Sequence, residues 1–248
     1  MAEFCMKIAG HCAAVTSLFE STPQYFRPYL TQEVPEFSIC VTRENIDFEQ
    51  ADLLEEAHRD GFKPRVFTDP FLERAAIQRA FAEFLFDRGI LLFHGSGIAV
   101  DEAGYLFTAH SGTGKSTHTR LWREAFGSRA IMVNDDKPFL ELREDGVWMH
   151  GSPWSGKHGL DANICVQLKG ICQLERGAEN QIRPITPEEL LPMILKQGYQ
   201  PLDPSKAFQY LQMCNTLAHL VPLWKMACNR EQAAATMAHS AMSGDTII

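Results

Sequence analysis

Short apolar runs broken by turn residues dominate the middle of the chain. Ile90 to Phe93, Ile98 to Val100, Tyr105 to Thr108, Ala130 to Val133, Phe139 to Leu142 and Val147 to His150 each have the length and bounding residues of a strand. The turns Asp101-Glu102-Ala103-Gly104 and Glu144-Asp145-Gly146 join two pairs of these runs and predict hairpins. Ile164 to Leu168 and Gly170 to Leu174 continue the sheet, and Leu223 to Cys228 adds a late strand. Helical spacing takes over elsewhere. Asp69-Pro70 opens a helix whose apolar stripe (Phe71, Leu72, Ala75, Ala76, Ala80, Phe81, Phe84, Leu85) stops at Asp87-Arg88-Gly89. Thr186-Pro187-Glu188-Glu189 fits a capping box, Asp203-Pro204 opens a helix to about Leu220, and Glu231 to Met242 forms the last. Residues 1 to about 68 read as a small α+β lead-in, with strands at Phe4 to Ile8 and Phe37 to Val41. Asp47 to His58 there is a short helix or an amphipathic turn.

The stretch that carries chemistry is Ala109-His110-Ser111-Gly112-Thr113-Gly114-Lys115-Ser116-Thr117, set between the strand ending at Thr108 and a helix from about Lys115 to Phe126. It reads as a phosphate-binding loop. Gly112 and Gly114 let backbone N–H groups turn inward on a polyphosphate. The helix start adds unpaired donors and partial positive charge. Ser111 to Thr117 are the expected nucleotide-binding residues; Lys115 reaches the β- and γ-phosphates, and the Ser116 hydroxyl ligates Mg²⁺. Ala109 stands where the motif has glycine, so the loop must begin with backbone an ordinary residue can adopt.

Asp135 and Asp136 end the next strand, with one helix between them and Lys115, so all three are expected at one edge of the sheet. Beside a phosphate-bound Mg²⁺, one carboxylate can ligate the metal while the other accepts the proton of an attacking hydroxyl. Two further candidates join them. His94 precedes the hairpin that feeds the loop, and Lys157 sits in the small-residue segment Gly151 to Gly159, where a second cation would stabilise a transferred phosphoryl group. Five of the nine histidines fall between 94 and 158, yet their spacing matches no zinc motif.

Bulk composition removes other classes. A net charge of −8 argues against wholesale binding to nucleic acid or an anionic membrane. No apolar run is long enough to span a bilayer. Seven cysteines without Cys-x-x-Cys spacing predict buried reduced thiols rather than a disulfide framework, hence a soluble cytoplasmic protein.

The ordered set of His94-Gly95, Ala99-Val100-Asp101, Gly104 to Phe107, Ser111 to Ser116 and Val133 to Asp136 resembles the catalytic core of bacterial HPr kinase/phosphorylase. The Ser-Gly-Thr-Gly-Lys run is also similar to the loop of ATP-dependent phosphoenolpyruvate carboxykinase. Over its whole length the chain looks like small HPr-kinase-like proteins of anaerobic bacteria, a group in which some members phosphorylate ribosomally made peptides. The resemblance implies an α/β fold with a mixed sheet, a P-loop and flanking helices, residues 69–248 forming the nucleotide-binding domain and 1–68 packed on it as one compact unit. It implies Asp135 as the catalytic acid/base, Asp136 as the carboxylate on the metal side, and His94 near the phosphates and metal. The expected activity is Mg-ATP-dependent transfer of the γ-phosphoryl group to a hydroxyl, a Ser or Thr of a protein or peptide, with a homo-oligomer compatible with the sequence. The alternative is an ATP-binding regulatory or peptide-binding protein without phosphotransfer. The Gly-rich, Arg-containing signature that follows the core in HPr kinase proper has no counterpart here, so neither HPr as substrate nor the reverse phosphorylase reaction is implied.

Overall fold

A hairpin begins the chain. Strands β1 (Ala2–Ile8) and β2 (His11–Ser17) pair antiparallel from Ala2↔Ser17 to Ile8↔His11. Ala9 and Gly10 between them both take positive φ, as a two-residue hairpin turn requires. After a one-turn helix α1 (Thr22–Tyr25), β3 (Phe37–Cys40) adds to β2 in parallel. Helices α2 (Arg43–Arg59) and α3 (Asp69–Phe86) complete this part. The computed structural model describes residues 1–59, 61 and 63–244, and the chain divides into two compact units, Met1–Phe84 and Leu85–Ile248. So α3 belongs almost wholly to the first unit, and the 68/69 division drawn from sequence falls in front of that helix. Within the first unit Phe37 stacks on Phe84, and the buried Glu73 carboxylate accepts from the Leu18 and Phe19 amides and the Thr22 hydroxyl. Arg79 joins α3 to α2 through Glu49 and Asp52.

The second unit is built on a nine-stranded mixed sheet. Its elements are β4 (Ile90–Leu92), β5 (Ser96–Val100), β6 (Ala103–Thr108), α4 (Lys115–Phe126), β7 (Ala130–Asn134), β8 (Phe139–Arg143) and β9 (Gly146–His150). There follow β10 (Cys165–Arg176), β11 (Gln181–Pro184), α5 (Pro187–Gln197), α6 (Ala207–Leu220), β12 (Leu223–Cys228) and α7 (Gln232–Ser243). The strand order is β4-β8-β9-β10-β6-β5-β7, with β12 also beside β10 and β11 beyond it. β6, β10 and β12 run parallel, and β5 is antiparallel to both β6 and β7. The carboxyl ends of β6, β7, β10 and β12 therefore share one edge.

Both sheet faces are covered, which is why its strands read as continuous apolar runs rather than alternating ones. Leu106, Val133 and Ile171 lie in the core with α5 and α6; their neighbours Phe107, Met132 and Cys172 lie in the core with α4 and α7. The two runs at 164–168 and 170–174 are a single strand, β10, with a register shift between Leu168 and Gly170. A 3₁₀ turn at Pro204–Lys206, with Asp203 capping the Ser205 amide, precedes α6. All seven cysteines are free, but Cys40 and Cys165 are exposed rather than buried. Among the described residues no helix is long and apolar enough to cross a membrane.

Candidate functional site

Residues far apart in sequence meet at the carboxyl edge of the parallel strands. From the end of β6 the chain loops through Ala109 to Gly114 into α4. Gly112 and Gly114 have φ of +76° and +126°, and a Cβ on Gly112 would meet nothing within 4 Å, so left-handed backbone and not crowding calls for glycine there. Ala109 is fully buried and lies outside the positive-φ set, which explains why alanine is tolerated where the motif has glycine. Lys115, the first residue of α4, folds back over its own loop with Nζ 3.4 Å from the Ala109 carbonyl oxygen. Ser111 is exposed, while Thr113, Ser116 and Thr117 are half-buried.

β7 delivers the acidic pair. Asp135 is 6% exposed; its Oδ1 accepts from the buried Ser96 hydroxyl at 2.7 Å, and Ser96 in turn lies 2.9 Å from the Thr119 hydroxyl on α4. The next carboxylate goes elsewhere: Asp136 Oδ1 lies 3.2 Å from His94 Nε2. The Gly95 amide donates to the Asp136 carbonyl at 3.0 Å and fixes the two segments together. Asn134, fully buried, holds the bend. Its side-chain oxygen accepts from the Asp136 and Lys137 amides at 2.7 and 2.5 Å, and its Nδ2 donates to the Ser152 carbonyl at 2.7 Å. Gly156, with φ of +69°, lies against Asp136, but Lys157 beside it is exposed and its side chain has no ion pair or hydrogen bond among the described residues.

The charges here act on one another. Burial lowers the Lys115 pKa; Asp136 and Asp135 oppose the shift, and Lys137 adds to it. Burial also lowers the His94 pKa and outweighs its hydrogen bond to Asp136, so the ring is neutral and Nε2–H is the donor. For Asp136 burial favours the acid, yet the His94 hydrogen bond with the Lys137 and Lys115 charges overcomes it and the carboxyl pKa falls. Asp136 is thus an ionised, hard oxygen donor with a 35% exposed side chain. Among the described residues no three His, Cys, Asp or Glu side chains group to hold a metal ion. A cation carried largely by phosphate oxygens asks for one or two protein oxygens, and the Asp136 carboxylate is a donor of that kind.

The structure thus brings Lys115, Asp135, Asp136 and His94 together and leaves Lys157 unengaged. Sequence reasoning gave no role to Ser96, Asn134, Lys137 or Arg176. Arg176, at the end of β10, donates to the loop carbonyls of Gly112 at 2.6 Å and Thr113 at 3.4 Å. Lys137 follows the acidic pair directly and could have been found there; nothing local marks Arg176, which reaches the loop only because β10 pairs with β6.

No protein-family model matches the chain, and no curated protein matches it. Among solved structures it is similar to the Hpr(Ser) kinase/phosphatase from Coxiella burnetii, at 13% identity and a TM-score of 0.35, over 62% of this chain and 93% of that one. At that level of likeness the site stands on its own geometry.

Proposed function

We propose that the protein is a Mg-ATP-dependent phosphotransferase that moves the γ-phosphoryl group to a hydroxyl, a Ser or Thr of a protein or peptide. The observation that supports this most is the meeting of Lys115, Asp135 and Asp136 at one sheet edge, with both carboxylates acting on the lysine charge. In this reading the amides of 111–116 and Lys115 hold the phosphates, and Ser116 with Asp136 would hold Mg²⁺. The ion, when bound, neutralises charge shared between β- and γ-phosphate oxygens. Asp135 accepts the proton of the attacking hydroxyl as its oxygen bonds to the γ-phosphorus; the γ-phosphorus–oxygen bond to the β-phosphate breaks, and its electron pair leaves with ADP. Ser96 aims the Asp135 carboxylate by holding Oδ1. His94 fixes Asp136 by donation from Nε2.

Calorimetry with Mg-ATP and single-turnover transfer to a Ser/Thr peptide library test the roles separately. Lys115→Ala should abolish binding. Asp135→Asn keeps an acceptor for Ser96 and should bind normally while transfer falls about 10²–10⁴-fold. Transfer by Asp135→Asn at the wild-type rate would remove the proposed base, and binding without transfer by wild type would leave a nucleotide-binding regulator.

A further inference from the structure

Strand β10 outruns the strand beside it. Its last pairing with β6 is Gln173↔Thr108, after which β6 breaks into the loop. β10 continues through Leu174 and Glu175 because β12 pairs with it as far as Arg176↔Cys228. The overshoot carries Arg176 alongside the loop. Glu175, the carboxylate next to it in sequence, is committed to Lys225 at 2.9 Å. Arg176 itself has no ion pair among the described residues. It bonds instead to two consecutive loop carbonyls, Gly112 at 2.6 Å and Thr113 at 3.4 Å.

Those two bonds set the direction of two peptide units. A trans peptide carries its C=O and N–H in opposite directions. Holding the Gly112 carbonyl turns the Thr113 N–H away from the guanidinium, and that N–H closes a turn on the His110 carbonyl at 3.2 Å. Holding the Thr113 carbonyl turns away the Gly114 N–H, at the start of α4. Gly112 and Gly114, on either side of Thr113, both take positive φ, and glycine is the residue with the widest backbone freedom. Arg176 supplies from another strand a constraint that the loop's own residues lack.

We propose that Arg176 is a positioning residue, which acts on the nucleotide through the loop by fixing its peptide units before phosphate arrives. This rests on the loop being the phosphate site, so the test reads loop order without ligand as well as binding. Millisecond hydrogen exchange across Ala109 to Thr117 and calorimetric titration with Mg-ATP and Mg-tripolyphosphate are run on wild type, Arg176→Ala, Arg176→Lys and Lys115→Ala. Arg176→Ala should speed exchange at Thr113 about tenfold and weaken both ligands about tenfold. Arg176→Lys keeps the charge but not the planar fork, so it should exchange as fast as Arg176→Ala and recover only part of the affinity. Arg176 is exposed, and the urea midpoint should stay at the wild-type value in both variants. Loop exchange unchanged in Arg176→Ala, or full affinity in Arg176→Lys, overturns the positioning role. So does a lower urea midpoint with exchange quickened throughout Leu85–Ile248, which would make the arginine a scaffold residue. Lys115→Ala should weaken both ligands; tripolyphosphate binding untouched by it overturns the phosphate loop instead, and the exchange result still decides Arg176.

Discussion

Mild acid should destabilise the second unit through His118. Burial alone drives the pKa of this imidazole down from 6.5 to about 4. Well above pH 6.5 the ring is neutral in both folded and unfolded chains and contributes nothing. Between that value and about 4 the unfolded chain binds a proton that the folded chain does not, so stability falls as pH falls. Integrating the two titrations from about pH 7.5 to about pH 5 gives a loss of about 2 kcal/mol. Urea unfolding followed by tryptophan fluorescence reads it cleanly, because Trp122, Trp148, Trp154 and Trp224 all lie in Leu85–Ile248. His118→Gln retains an acceptor for the Trp122 indole but does not titrate. Wild type should therefore lose about 2 kcal/mol more than this variant over the interval. His94, also held neutral by burial, is present in both proteins and cancels in the comparison. Equal losses would refute the reasoning, since the folded ring would then take up its proton as readily as the unfolded one.

Two substitutions test the scaffolding. Asn134→Ala strips the acceptor from the Asp136 and Lys137 amides and the donor from the Ser152 carbonyl. It should cost about 2–4 kcal/mol in the same fluorescence assay, with Asn134→Asp recovering part of it; a cost below about 0.5 kcal/mol would show that the bend does not depend on this side chain. Arg79→Ala leaves Glu49, with its side chain only 5% exposed, without its cation. A loss of about 3 kcal/mol should speed the slowest amide exchange within Met1–Phe84 on the order of 100-fold, and unchanged protection would mean the pair contributes nothing there.

The second unit was legible from sequence because its signals are local. Buried strands announce themselves as Ile90-Leu91-Leu92 or Tyr105-Leu106-Phe107, and Gly112 and Gly114 sit where the loop takes positive φ. The first unit was less so: the Ala9-Gly10 turn lacks the usual Asn-Gly signature, so only Phe4 to Ile8 of the β1–β2 hairpin was expected as a strand and β2 was missed. β11 also escaped, because Gln181-Ile182-Arg183-Pro184 has one apolar side chain and gains its place from pairing with β12. Long-range partners were invisible for the same reason. Ser96 reaches Asp135 and Arg176 reaches the loop only once strand order is known, and strand order is not written in any single segment.

The acidic pair shows how much a local motif leaves open. Along a straight strand consecutive side chains point to opposite faces, so adjacent aspartates could not both serve one site had β7 continued through them. The Asn134 side chain resolves this by accepting from the two amides that follow, which ends the strand and bends the chain as Asx residues do in turns. After the bend Asp135 turns to Ser96 while Asp136 turns to His94, and both remain close enough to Lys115 to act on its charge. The division of labour proposed for the two carboxylates, one a buried base and the other a half-exposed metal-side oxygen, therefore depends on a neighbour that performs no chemistry itself.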